Sequence, residues 1–169
     1  AKKYKVILSK RPKRLATKNS NIVDTVLYEI NKSKNIDIVI LLQPTSPLRT
    51  FKDIDQSLKL MMRKSTHSCV SLIKLKYHPQ LYFRINENGK LVQIIKKKLP
   101  STNRQSFADF YYQSGDIYIS YVNRIKKKRN FVDRSTTPFI IERENYSDID
   151  NIFDFKTAEF HSKIKKKLE

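Results

Sequence analysis

Three stretches of this 169-residue chain carry side chains whose types and spacing suit chemistry. The first is Gln43-Pro-Thr-Ser-Pro-Leu-Arg49. One short loop brings together an amide that donates and accepts, two hydroxyls and a guanidinium fork. Such a set can hold a carboxylate or a phosphate. Thr45 and Ser46 can equally serve to cap the turn. The second stretch is Asp148-Ile-Asp150, with Asp154 beyond it. Residues two apart in an extended segment face the same side. Asp148 and Asp150 can therefore share a hard cation such as Mg²⁺, which takes oxygen ligands. The competing reading has Asp150 capping the next helix and Asp148 merely exposed. The third is Asn103-Arg-Gln105 followed by Tyr112-Gln-Ser-Gly-Asp-Ile-Tyr118. Arg104 can clamp a substrate carboxylate or lie on the surface of a polar loop. Gly115, just before a strand, implies a tight turn or a close backbone approach. Cys69 is the single cysteine and reads as a small buried side chain. To act as a nucleophile it would need a base such as His67, two residues away on the same strand face.

The elements that must position these residues read as α/β. Ile36–Leu42 is a near-continuous apolar strand, of the kind found in parallel sheets covered on both faces. The prolines after it stop the ladder. Polar groups just past the end of such a strand are where α/β sites form. Before it, Ile22, Val26 and Ile30 recur at helical spacing beside Val23 and Leu27, with Asn19 or Ser20 as the expected cap. After it, Thr50-Phe-Lys-Asp53 is an Asp variant of the capping box. It opens a helix whose apolar face is Ile54, Leu58, Met61 and Met62. Cys69–Leu75 supplies the next strand. Lys5–Ser9 is either a short strand or the start of a loop. Leu81–Ile85 and Leu91–Ile95 form a hairpin about Asn88-Gly89, the strongest turn signal in the chain. Asp116–Ser120 and Phe139–Ile141 are further strands, and a last helix begins near Asn151. The expected organisation is a single α/β domain over 1–169, with a β-rich portion at 76–140 within it.

Composition bounds the partners. The chain is 39% hydrophobic and 30% charged, a globular balance. No apolar run is long enough to span a bilayer. The N-terminal Ala1-Lys-Lys-Tyr-Lys5 lacks a signal-peptide pattern, so the expectation is a soluble cytoplasmic protein with no membrane partner. Lys and Arg number 35 against 16 Asp and Glu, a formal charge of +19. That field suits an anionic nucleotide or acidic sugar as well as a nucleic acid. A basic nucleic-acid-binding protein is the alternative class, and the less favoured one, because lysine runs at 96–98, 126–128 and 165–167 carry little specific chemistry.

Taken together and in order, these stretches resemble the acylneuraminate cytidylyltransferases, or CMP-sialic acid synthetases, including relatives that activate legionaminic and other nonulosonic acids. Arg11-Pro-Lys-Arg-Leu-Ala16 is similar to that family's R-P-x-x-L-A. Leu42-Gln-Pro-Thr-Ser-Pro-Leu-Arg49 with Asp53-Ile54 matches its most specific string, and Arg104-Gln105 its R-Q. Ser114-Gly-Asp-Ile-Tyr-Ile119 resembles its N-G-A-I-Y-I. Ser147-Asp-Ile-Asp150, Asp154-Phe155 and Ala158-Glu159 resemble its S-x-D-I-D…D-x-x-x-A-E. The resemblance covers nearly the whole chain.

It implies a partial Rossmann-like nucleotidyltransferase fold with a β-rich dimerisation portion. It implies Mg²⁺ at Asp148 and Asp150, and transfer of CMP from CTP to a nine-carbon acidic sugar. Asp148, Asp150 and Arg104 would be catalytic. Gln43, Thr45, Ser46, Arg49, Arg104, Gln105, Ser114 and Phe131 would bind substrate. A homodimer is implied, with Phe131 and Val132 lining the partner's pocket and either the hairpin or the 121–138 region reaching across. Four departures matter. The family's Gly-rich basic loop, A-R-x-G-S-K-x-x-x-x-K-N, is missing, so the chain is expected to be a C-terminal portion: a fragment, the product of a truncated or split gene, or one piece of a larger polypeptide, not expected to catalyse alone, with a non-catalytic remnant or a partner subunit of a complete homologue as the alternative to the enzyme reading. Leu81 and Tyr112 stand where a lysine and an arginine are common. Ser114 stands where the family has asparagine.

Overall fold

The computed structural model describes residues 2–95, 108–141 and 146–168. Strands β1 (Ile38–Leu41), β2 (Ser68–Lys74), β5 (Tyr111–Tyr121) and β6 (Thr137–Ile140) form one sheet in the order β1-β5-β2-β6. The hairpin β3 (Phe83–Ile85) and β4 (Leu91–Gln93) is a separate two-stranded sheet. Asn86 closes its turn by accepting from the Asn88 and Lys90 amides. Gly89 takes φ +70° there, the left-handed conformation that Asn-Gly turns use.

The sheet is mixed rather than parallel. β5 runs antiparallel to both β1 and β2, and β2 runs parallel to β6. The cause is the route of the chain. The excursion after β2 returns to the end it left, where the Leu75 amide donates to the Phe110 carbonyl. Re-entering at that end, β5 runs back alongside β2 as an antiparallel partner.

Helices cover both faces. On one, α1 (Ile22–Ile30) and α3 (Val122–Lys128), with Phe131 from the loop after α3, bury Val23, Val26, Leu27, Ile30, Val122 and Ile125 against Val39, Leu41 and Tyr118. On the other, α2 (Phe51–Arg63) sets Met61, Ile54 and Leu58 against Cys69, Ile117, Ile119, Ile38 and Ile40. The continuous apolar run of β1 thus meets helices on both faces. Yet all its residues stay only half-buried, because β1 is an edge strand.

Several local expectations change. Asn21, not Asn19 or Ser20, caps α1, its Oδ1 accepting from the Val23 amide. Ile22 turns outward at 39% exposure, so the buried stripe runs through Val23, Val26, Leu27 and Ile30. α2 has the expected Thr50–Asp53 capping box. Met62 lies off its buried face while Ser57 lies on it. Lys5–Ser9 forms no strand, and Val6, Ile7 and Leu8 are exposed. α3 was not foreseen. α4 (Ile152–Leu168) is capped by Asn151, whose Oδ1 accepts from Phe153 and Asp154 amides. Asp154 returns the favour by accepting from the Asn151 and Asp150 amides. The cap is therefore Asn151, and not the Asp150 side chain.

Candidate functional site

The loop after β1 turns sharply, the Ser46 amide donating to the Gln43 carbonyl at 3.4 Å. Arg49 then reaches back. Its Nη1 donates to the Gln43 carbonyl at 3.2 Å and to the Asp116 carbonyl at 2.8 Å. This guanidinium nitrogen is committed to main-chain oxygens that tie the loop to β5. Ser46 is buried, and its Oγ has no hydrogen-bond partner among the described residues.

β5 breaks its ladder where it meets the loop. Val70 pairs with Tyr118 but Leu72 with Gln113, so Ser71 alone faces the bulge Ser114–Ile117. Gly115 sits in that bulge at φ +81°. A Cβ on it would lie 2.7 Å from Gln43 Oε1 and 3.6 Å from Ser46 Oγ. The close backbone approach read from the sequence is therefore present, and what approaches is the Gln43 amide. Ser114 is buried, and its hydroxyl donates to Ser71 Oγ at 2.7 Å. It faces inward rather than towards open space.

The aspartate segment joins the same place. The Ile149 amide donates to the Thr45 carbonyl at 2.9 Å, and the Tyr146 hydroxyl donates to the Ser114 carbonyl. Asp148 and Asp150 flank that anchor as exposed carboxylates. Burial pushes the Tyr112, Tyr118 and Tyr146 phenols up, and the negative charges of Asp148 and Asp116 push them further.

Exposed carboxylates two residues apart suit a hard divalent cation in donor type. Among the described residues no cluster of three Asp, Glu, His or Cys side chains could hold a metal. That is compatible with Mg²⁺, which is commonly held by one or two carboxylates plus waters and substrate phosphates.

A cleft of about 490 Å³ opens beside Gln43. Leu41, Gln113 and Tyr118 come from the sheet, Asn21 and Val23 from the start of α1, Lys128 from the end of α3, and Arg129 to Val132 from the loop after it. That loop is held by Arg124 and Asp133, whose Nη2–Oδ2 ion pair measures 2.8 Å. Ser135 donates to the Asp133 carboxylate from its hydroxyl and its amide. These Ser135 bonds, together with the Arg124 charge, hold the Asp133 carboxyl well below the usual range. Phe131 is buried in its own chain's core, 5.5 Å from the Tyr118 ring, and lines this cleft rather than projecting outward.

The structure thus brings together Gln43, Thr45, Ser46, Arg49, Ser114 and the Asp148–Asp150 segment, with Phe131 bordering the cleft. Arg104 and Gln105 lie outside the described residues. Sequence reasoning missed Ser71, which gives no signal within an apolar strand, and Tyr146. Cys69 is fully buried and its thiol is pushed up to about 12 by that burial. The His67 ring lies edge-on to Tyr121. No nucleophile is assembled there.

No protein-family model matches the chain. It is 25% identical over 148 residues to the N-acylneuraminate cytidylyltransferase of Escherichia coli O18:K1:H7, covering 88% of this chain and 35% of that protein. It is 28% identical over 156 residues to the CMP-N,N'-diacetyllegionaminic acid synthase of Legionella pneumophila, covering 88% of this chain and 66% of that one. An N-acylneuraminate cytidylyltransferase of Streptococcus agalactiae serotype V matches at 23% over 149 residues, 36% of its length. The chain therefore spans about a third of the first of these relatives. Among solved structures, a CMP:2-keto-3-deoxy-manno-octonic acid synthetase complexed with CTP aligns with a TM-score of 0.56 at 12% identity, over 89% of this chain and 70% of that one. That likeness assigns the fold, a Rossmann-like nucleotidyltransferase sheet flanked by helices. Family-level homology joins this chain to the CMP-sugar cytidylyltransferases, over the portion of their length that it spans.

Proposed function

We propose that this chain carries the cation-binding and sugar-acid-binding side of a CTP-dependent cytidylyltransferase whose acceptor is a nonulosonic acid. The observation that carries the reading is the convergence of the Gln43 loop, the Gly115 bulge and the Asp148–Asp150 segment, joined by the Thr45–Ile149 and Arg49–Asp116 main-chain contacts. In the proposed reaction the sugar's anomeric hydroxyl attacks the α-phosphorus of CTP. The bond to pyrophosphate breaks, and the hydroxyl proton leaves to solvent. Asp148 and Asp150 would hold Mg²⁺, which when bound offsets charge on the phosphate oxygens. Gln43, fixed against Gly115, would orient the acid sugar through its amide. Arg104, with Gln105 beside it, would receive the sugar carboxylate through a bidentate contact. Arg49 would keep the loop in register instead of touching substrate. The cleft beside Gln43 has the volume for a ligand of this class.

The test is pyrophosphate release by the purified chain with CTP, Mg²⁺ and a panel of nonulosonic acids. It is run alone and with an N-terminal cytidylyltransferase segment supplied in trans. Release that requires the sugar acid and disappears in Asp148→Asn and Asp150→Asn supports the reading. Absence of release in both arms, from folded protein, removes catalysis and leaves a non-catalytic subunit or remnant.

A further inference from the structure

The bulge in β5 raises a problem of hydrogen bonding. Ser114 to Ile117 have left the ladder with β2, yet Ser114, Asp116 and Ile117 are almost wholly buried. Buried main-chain groups need partners. The groups at Ile117 are served by one side chain. Ser71 Oγ accepts from the Ile117 amide at 2.8 Å and donates to the Ile117 carbonyl at 3.1 Å. It also accepts from Ser114 Oγ at 2.7 Å. Ser71 is itself wholly buried, so no solvent can replace it. A hydroxyl has one hydrogen and two lone pairs, and here all three are used.

We infer that Ser71 is a positioning residue for Gln43, acting through the bulge. Its hydroxyl fixes both ends of Ser114–Ile117, which sets Gly115 at φ +81° with its Cα surface against Gln43 Oε1. Arg49 holds the same stretch from the other side at the Asp116 carbonyl. An alanine at 71 would leave the Ile117 amide without its partner in a dry site. The bulge would then be free to reseat, and Gln43 would lose the surface that orders its amide. The consequence for substrate rests on the proposed transfer reaction. The effect on Gln43 does not.

The experiment is NMR on the full ¹⁵N-labelled chain without nucleotide or sugar acid. Ser71→Ala is compared with Ser68→Ala, which removes another buried hydroxyl of β2, the one paired with Thr136. In Ser71→Ala the Ile117 amide should exchange at least tenfold faster than in Ser68→Ala, and the two Gln43 side-chain amide protons should move towards their free-chain positions. Should Ser71→Ala fail to fold, Ser114→Ala removes only one of the three contacts and should give a smaller shift of the Gln43 signals in the same direction. Gln43 signals that stay at their wild-type positions in the folded variants, with only melting temperature lowered, would overturn the inference. Because no ligand is present, failure of the transfer reaction and failure of this inference are read separately.

Discussion

At the scale of single residues, the site turns on a close contact between Gly115 and Gln43. Gly115→Ala places a Cβ where Gln43 Oε1 now lies, and does so at φ +81°. The strain of a side chain in that conformation costs about 1–2 kcal/mol. The Gln43 amide, at the end of a flexible side chain, moves aside. The expected result is a modest fall in melting temperature with a much larger loss of ligand affinity, measured by calorimetry on the same sample. The tyrosines report the charge of Asp148. Their phenols are pushed up by burial first and by Asp148 and Asp116 after that. A raised phenol favours the folded state below the ordinary tyrosine pKa of about 10, and that contribution is lost as pH rises through the folded value. Asp148→Asn should therefore shift tyrosinate absorbance to lower pH. An unchanged titration would show that Asp148 does not face these rings. Much of this was legible in the sequence. The Gln-Pro-Thr-Ser-Pro-Leu-Arg loop, the D-x-D pair and a lone glycine before a strand each carry a local signal. The contact of Arg49 with the Asp116 carbonyl was not legible, because that partner lies on a strand far along the chain.

At the scale of elements, the helices and strands were readable where periodicity is local and unreadable where pairing is distant. The Thr50–Asp53 box and the Asn88-Gly89 turn were set by residues a few positions apart. The antiparallel entry of β5 and the role of Ser71 depend on which strands meet, and no periodicity encodes that. Cys69 shows how placement in an element settles chemistry. It sits in β2 beneath α2, with its thiol at about 12, so it should resist iodoacetamide at neutral pH until the chain is denatured. Labelling of native protein at the rate of a free thiol would contradict this packing. The loop after α3 depends on Asp133. A depressed carboxyl contributes stability above its unfolded pKa and loses it as pH falls towards the folded value. Asp133→Asn should lower stability at neutral pH and flatten the decline below about pH 4, where an unfolded aspartate takes up its proton. Thermal melts across that range check it.

At the scale of the whole molecule, charge and exposed apolar surface matter most. Ile7, Leu8 and Phe153 are 96%, 85% and 80% exposed. Phe153, Phe160 and Ile164 fall along one side of α4 at helical spacing. Apolar surface of this kind favours association. Light scattering should show the chain as a dimer or larger at micromolar concentration. Among the described residues, no helix is long and apolar enough to cross a membrane. The formal charge of +19 keeps a nucleic-acid partner in view, and that alternative makes its own demand: binding to unrelated oligonucleotides with a steep salt dependence.

The most direct measurement is titration of the ¹⁵N-labelled chain with CMP-N-acetylneuraminate and Mg²⁺. Saturable shifts at Gln43, Gly115 and Asp148, weakened at least tenfold when Asp148 and Asp150 are both changed to Asn, are the predicted result. Shifts confined to the lysine-rich segments, equal for any polyanion and unaffected by those substitutions, would contradict it.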